Sequence, residues 1–200
     1  CSASSRMVVL RDVHDRAVEA AVSQAAAMAP SDPLSGDAAS GAVVSERQLE
    51  RILGFVERAV ADGATLAAGS VTRYEIGTGK GSYVAPVVLT DVRPDMEIAQ
   101  AEVFGPVLSV IAADSVDEAV AVANGTPFGL GAGLWTSDLS AAHRVSRRLR
   151  AGTVWVNCYE EGDMSMPFGG VGAGGFGRDK GAHAVDKYTD VKSTWIELGA

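Results

Sequence analysis

Cysteine, histidine and aromatic residues are all scarce in this chain of 200 residues, which has two cysteines, three histidines and 6% aromatic residues. Two distant cysteines do not form the disulfide framework of a small secreted protein, so we expect a reducing compartment, the cytoplasm. The histidines, His14, His143 and His183, lack the spacing of metal ligands. We therefore predict no metal site.

Long apolar runs and clusters of basic residues are also missing. No segment approaches the length of a membrane span, and the first residues lack the layout of a signal peptide, so we expect no membrane partner. The formal net charge of -8, with scattered Lys and Arg, argues against nucleic-acid binding and favours neutral or cationic small molecules. A composition of 47% hydrophobic and 21% charged residues excludes disorder and indicates a globular protein.

Strand and helix patterns alternate along the chain. Strands are predicted over residues 7–10, 83–89, 107–112, 130–135, 153–157 and 191–198. Helices are predicted over residues 12–28, 45–62, 115–124 and 138–149, with N-caps at Asp12, Ser45 and Ser115 and a stop at Gly63. This alternation predicts a parallel α/β sheet with helices on its faces. The glycine-rich residues 69–82 are interpreted as a surface excursion.

Two short segments carry the strongest functional signal: Cys-Ser-Ala-Ser-Ser-Arg at residues 1–6 and Glu-Val-Phe-Gly-Pro-Val at residues 102–107. They resemble the nucleophile segment and the cofactor-contacting signature of the NAD(P)-dependent aldehyde dehydrogenase superfamily. The resemblance continues through residues 153–157 and 167–170 to the end of the chain. It implies a Rossmann-like α/β catalytic domain and a C-terminal strand that pairs with another subunit.

The resemblance also implies a domain organisation. Residues 1–178 correspond to part of the catalytic domain, and residues 179–200 to a C-terminal oligomerisation arm. The family's cofactor-binding domain, general-base glutamate and oxyanion-stabilising asparagine all precede its cysteine, and this chain does not begin with Met. We therefore expect a longer protein, a homodimer or homotetramer that uses NAD or NADP.

Cys1 is the nucleophile by this resemblance, although an isolated cysteine is more often a small buried apolar residue. The resemblance implies that its thiolate adds to an aldehyde, that the thiohemiacetal releases hydride to NAD or NADP, and that water hydrolyses the thioester. We interpret Cys158 as structural or channel-lining. A disulfide between the two cysteines is an open alternative with little support in a reducing compartment.

Glu102 and Phe104 are the implied cofactor contacts. An isolated glutamate is by default a solvated surface charge, but the hexapeptide around Glu102 implies a carboxylate that accepts hydrogen bonds from the ribose next to the nicotinamide. Phe104 is the implied aromatic beside the nicotinamide ring. Asn157 is interpreted differently, as a residue whose side chain fixes the end of a strand by hydrogen bonding.

Phe168 and Asp163 are the implied substrate contacts. Phe168 corresponds to an aromatic wall of the aldehyde tunnel. Carboxylates such as those at residues 160–163 usually face solvent, but residues 162–170, with 177–180 and 192–196, resemble γ-glutamyl-γ-aminobutyraldehyde dehydrogenases of putrescine breakdown. The substrate of those enzymes carries an amino group, which Asp163 could pair with.

Two alternatives from other functional classes stay open at this point. One is a catalytically inert fragment that acts as an assembly or interaction module through its terminal strand. The other is a thiol esterase, because Cys1 could be acylated by an activated ester without any cofactor.

Overall fold

The computed structural model describes residues 1–77 and 81–199. The chain separates into two compact units: Cys1 and Ala3–Thr126 form the first, while Ser2 and the residues from Pro127 onward form the second. The predicted boundary between a catalytic domain and an arm at residue 178 stays a prediction.

The first unit is an α/β structure. In chain order its elements are β1 (Arg6–Leu10), a 3-10 turn (Arg11–Val13), α1 (His14–Ala27), α2 (Glu46–Ala61), β2 (Thr65–Ala68), β3 (Val87–Thr90), α3 (Glu97–Gln100), β4 (Val107–Ala113) and α4 (Val116–Asn124). The strand order is β1-β4-β3-β2. β1 and β3 both pair parallel with β4, whereas β2 pairs antiparallel with β3. The predicted parallel sheet is confirmed, with one antiparallel edge strand that sequence analysis missed.

Helices cover both faces of this sheet. Successive residues of a strand point to opposite faces, so Val110 and Ile111 of β4 enter different cores. Val110 packs with Val9 and Val88 against α1. Ile111 packs in the larger core with buried residues of α2, among them Leu49, Ile52 and Val56. This two-faced arrangement confirms the Rossmann-like fold.

The second unit has a smaller parallel sheet. It contains β5 (Gly131–Leu134), α5 (Leu139–Arg148), β6 (Thr153–Val156) and two 3-10 segments, Gly172–Gly174 and Ala182–Tyr188. β5 and β6 pair in register from Gly131 opposite Thr153 to Leu134 opposite Val156. The predicted cycle of strand, helix and strand over residues 130–157 is therefore confirmed.

Local capping signals explain where the helices begin and end. The Ser45 hydroxyl accepts a hydrogen bond from the Gln48 N–H, and the Ser115 hydroxyl accepts one from the Glu118 N–H, as predicted. Gly63 has a φ of 102° just after α2. The prediction for Asp12 was wrong: a 3-10 turn precedes α1, its N-cap is Val13, and no side chain caps it.

The predicted strand over residues 191–198 does not form within the described chain, because the structure assigns no regular secondary structure to residues 191–199. A strand needs a partner for its main-chain groups, and no other segment of the described chain pairs with this one. The predicted strand over 83–89 is shorter and begins at Val87. Of the predicted excursion over 69–82, residues 78–80 lie outside the described residues.

Candidate functional site

Cys1 is exposed, and both cysteines of the chain are free thiols. The segment that follows Cys1 is anchored at its far end by Arg6, the first residue of β1. The Arg6 guanidinium donates to Val122 O and Ala123 O, each at 2.9 Å, at the C-terminal end of α4. A cation at this position meets the negative end of the helix dipole. Burial lowers the Arg6 pKa, although the guanidinium stays charged at neutral pH.

Glu102 and Phe104 lie on one short segment between α3 and β4. Val103 stands between them and is only 3% exposed, whereas both flanking side chains are exposed. The segment therefore anchors itself in the core through Val103 and turns Glu102 and Phe104 outward. The Phe104 side chain is 59% exposed, which leaves its ring free to contact a planar group.

Two side chains of α2 hold the main chain of this segment. Arg51 Nη2 donates to Glu102 O at 2.8 Å, and Arg51 Nη1 donates to Val103 O. Gln48 Nε2 donates to Phe104 O at 2.8 Å. Sequence analysis missed both residues: their spacing of three puts them on one face of the helix, but nothing local reveals a target more than 50 residues away.

The conformation of this segment is unusual. Phe104 has a φ of 60°, a left-handed conformation that costs free energy for a residue other than glycine. Next to it, a Cβ added at Gly105 would lie 2.5 Å from Cδ1 of Ile52, which is fully buried. The hydrogen bonds from Gln48 and Arg51 of α2 and the missing side chain at Gly105 together keep the segment in this conformation.

Asp163 lies on an exposed loop of the second unit. Its Oδ1 accepts a hydrogen bond from the Ser165 N–H at 2.8 Å. Hydrogen bonds from the Ser165 side chain, and next from its main chain, lower the pKa of Asp163, and the nearby Lys180 acts in the same direction. The carboxylate is therefore ionised at neutral pH and exposed.

Phe168 is half-buried and is joined to Asp179 by a two-way main-chain bridge. The Phe168 N–H donates to Asp179 O at 2.7 Å, and the Asp179 N–H donates to Phe168 O at 2.6 Å. Lys180 Nζ lies 5.7 Å from the centre of the Phe168 ring, within the range of a cation–π contact. Asp163 and Phe168 thus belong to one locally hydrogen-bonded region of the second unit.

The interpretation of Asn157 is confirmed. Its Oδ1 accepts from the Thr136 N–H at 2.8 Å, and its Nδ2 donates to Thr136 O at 2.9 Å. The side chain thus continues the pairing of β5 with β6 beyond the end of β6. Among the residues that the structure describes, no group of three or more His, Cys, Asp or Glu could hold a metal ion. Within those same residues, no helix is long and apolar enough to cross a membrane.

A doubly covered, largely parallel sheet defines the fold class as Rossmann-like α/β. Residues 1–194 match the model of the aldehyde dehydrogenase family. The chain belongs to that family.

Individual relatives agree with this assignment. A betaine aldehyde dehydrogenase of Cereibacter sphaeroides is 41% identical over 199 residues, which cover 100% of this chain and 40% of that protein. An indole-3-acetaldehyde dehydrogenase of P. syringae, solved with NAD+ and IAA, is 45% identical with a TM-score of 0.92, over 98% of this chain and 39% of that one. A γ-glutamyl-γ-aminobutyraldehyde dehydrogenase structure from Burkholderia cenocepacia is 52% identical with a TM-score of 0.88, over 95% and 38%. The chain spans about 40% of the length of the curated relatives it matches.

Proposed function

We propose that the whole protein containing this chain oxidises an aldehyde to a carboxylic acid with NAD or NADP and water, and that Cys1 is the nucleophile. The observation that carries the proposal is the Glu102–Phe104 segment, whose main chain is held by α2 while both functional side chains face outward. Family membership over residues 1–194 supports it and argues against an inert assembly module.

The roles of the chain's own residues follow from their chemistry. The Cys1 thiolate adds to the aldehyde carbon and later carries the acyl group as a thioester, which water hydrolyses. Glu102 accepts hydrogen bonds from a ribose, and Phe104 lies against the nicotinamide ring. The bound NAD or NADP supplies the hydride acceptor. The exposed side chains of Glu102 and Phe104, on a fixed main chain, fit these contacts. Separately, the two free thiols support the reducing cytoplasm as the location.

The test uses the whole protein and examines the cofactor contact of Glu102 separately from the nucleophilic role of Cys1. Glu102→Gln is expected to lower aldehyde oxidation and to leave hydrolysis of an activated ester largely intact, because deacylation needs no ribose contact. Cys1→Ala is expected to abolish both activities. Equal losses of both activities in Glu102→Gln would show that Glu102 is structural. An active Cys1→Ala enzyme would refute the assignment of Cys1 as the nucleophile.

We also propose that the substrate is an aminoaldehyde, with Asp163 pairing with its amino group and Phe168 lining its path. Support comes from the exposed, ionised Asp163 and from the similarity to the Burkholderia structure. Asp163→Asn is expected to reduce the preference for an amino-bearing over a neutral aldehyde of equal length by about tenfold or more. Glu161→Gln, which removes an exposed carboxylate two residues away, is the matched control. An equal preference in both variants would contradict the role of Asp163.

We further propose that residues 191–198 pair with another copy of the chain in a homodimer or homotetramer. Large apolar side chains are exposed on this segment, including Trp195 at 95%. Exposed apolar surface of this kind is typical of interaction sites. Deleting residues 191–200 is expected to produce smaller species in sedimentation, and Asp190→Lys is expected to act in the same direction. An unchanged mass for both variants would place assembly on other surfaces.

A further inference from the structure

Ser2 follows Cys1 directly in the chain, and two neighbouring residues of the second unit hold it. Tyr159 Oη donates to the main-chain carbonyl of Ser2 at 2.6 Å. The Ser2 hydroxyl donates to a carboxylate oxygen of Glu160. One bond holds the main chain of Ser2 and the other holds its side chain, so both its position and its orientation are restricted.

The ring of Tyr159 is itself held by aromatic neighbours. It packs at a tilt against Trp155 with ring centres 4.7 Å apart, and it stacks with Trp135 at 6.4 Å. Trp155 is buried, and its indole N–H donates to Glu161 O at 2.6 Å. The hydroxyl of Tyr159 therefore extends from a ring whose place is set by packing and not by Ser2 alone.

β5 leaves room for this aromatic group through two glycines on one face. A Cβ at Gly131 would lie 2.8 Å from Cζ3 of Trp155. A Cβ at Gly133 would lie 2.8 Å from Cδ2 of Tyr159 and 2.9 Å from Cζ3 of Trp135. Real Cβ atoms do not approach so closely, so larger residues at either position would displace the rings.

Glu160 adds a strained main chain to this arrangement. Its φ of 59° lies in the left-handed region, which a residue other than glycine adopts only when its surroundings impose it. With this bend, the phenol of Tyr159 and the carboxylate of Glu160, which are consecutive in the sequence, both bind Ser2.

We propose that Tyr159 and Glu160 are positioning residues for the nucleophile: they fix Ser2 and, through the peptide bond, the main chain of Cys1. The proposal rests on the proposed function, in which Cys1 reacts with the aldehyde. Neither residue needs to touch the substrate, and their effect belongs to the step in which the thiol is acylated. Small displacements of a reacting group cost rate even when binding is unaffected.

The test uses Tyr159→Phe in the whole protein, because this change keeps the ring and removes only the hydroxyl. We expect the turnover number for aldehyde oxidation and the rate of Cys1 acylation by a nitrophenyl ester both to fall by about tenfold. The KM for NAD is expected to stay unchanged, and the melting temperature is expected to fall by no more than about a few degrees. This pattern differs from the one expected for Glu102→Gln, which lowers aldehyde oxidation but spares the ester reaction. Unchanged ester acylation in Tyr159→Phe would overturn the proposal.

Two further variants complete the design. Tyr188→Phe is the matched control, because Tyr188 is 87% exposed, and both rates are expected to stay at the wild-type level. Ser2→Ala removes the bond to Glu160, and we expect both rates to fall, so the proposal remains testable if Tyr159→Phe does not fold. Unchanged rates in Ser2→Ala would then refute it. Cys1→Ala distinguishes this proposal from the proposed function. If that variant retains activity, Cys1 is not the nucleophile, and this conclusion does not depend on the result for Tyr159→Phe.

Discussion

The segment of Glu102 and Phe104 and the loop of Asp163 are held in opposite ways. The first is anchored through buried Val103 and by hydrogen bonds from Gln48 and Arg51 on a neighbouring helix. The second lies on the surface and uses a bond between residues only two apart. In the proposed function these two regions contact the cofactor and the aldehyde respectively, so the difference indicates that the fold holds the cofactor contact more firmly than the substrate contact.

The largest expected difference between the two regions is in their tolerance of a single added methyl group. Gly105→Ala would place a Cβ 2.5 Å from fully buried Ile52, and we expect it to lower stability by about 1–3 kcal/mol. Gly162→Ala, on the exposed loop, has open space around its Cβ and is expected to change stability by less than about 0.5 kcal/mol. Melting temperatures of the two whole-protein variants check this. Equal shifts would show that the first region is not tightly packed.

A smaller effect should come from loosening the first segment without disturbing its core. Arg51→Ala removes the donors to Glu102 O and Val103 O, and we expect the KM for NAD to rise by about tenfold. Arg58→Ala is the matched control: both guanidinium groups lie over the Phe55 ring, at 4.8 and 4.9 Å, but Arg58 pairs with Glu97. An equal KM for NAD in the two variants would show that the hydrogen bonds from Arg51 do not contribute to cofactor binding.

The smallest expected effect is the pH response of the exposed loop. Because hydrogen bonds from Ser165 lower the pKa of Asp163, its carboxylate stays ionised well below neutral pH, and protonation occurs only as the pH falls through that lowered pKa. The preference for an amino-bearing aldehyde is therefore expected to hold between about pH 7 and pH 5. Competition assays with amino-bearing and neutral aldehydes would measure it. A marked loss of preference at the lower pH would mean that another group with a higher pKa carries the recognition.

Sequence analysis predicted the features that depend on nearby residues. Ser45 and Ser115 cap helices through bonds to residues three positions away, and the apolar run of β4 indicates burial without reference to its neighbours. Both kinds of signal can be recognised within a few consecutive residues of the sequence. The same locality explains the success with Asn157, which stands directly at the end of its strand.

Features that depend on distant partners were not predictable in the same way. The bonds from Arg51 to the segment at 102–103, and from Tyr159 to Ser2, join residues that only the folded chain brings together. Asp12 follows a strand so closely that a 3-10 turn takes the place of the expected cap. The terminal segment at 191–198 has the composition of a strand, but composition cannot supply the partner that a strand requires.

The central claim, that Cys1 is the residue acylated during turnover, can be tested by direct observation of the covalent intermediate. The whole protein would be mixed with an aldehyde and NAD, quenched in acid during the first turnover, and digested for peptide mass analysis. The account predicts an added acyl mass on the peptide that carries Cys1 and none on the peptide that carries Cys158. An acyl group on Cys158, or on neither cysteine while the reduced cofactor accumulates, would contradict it.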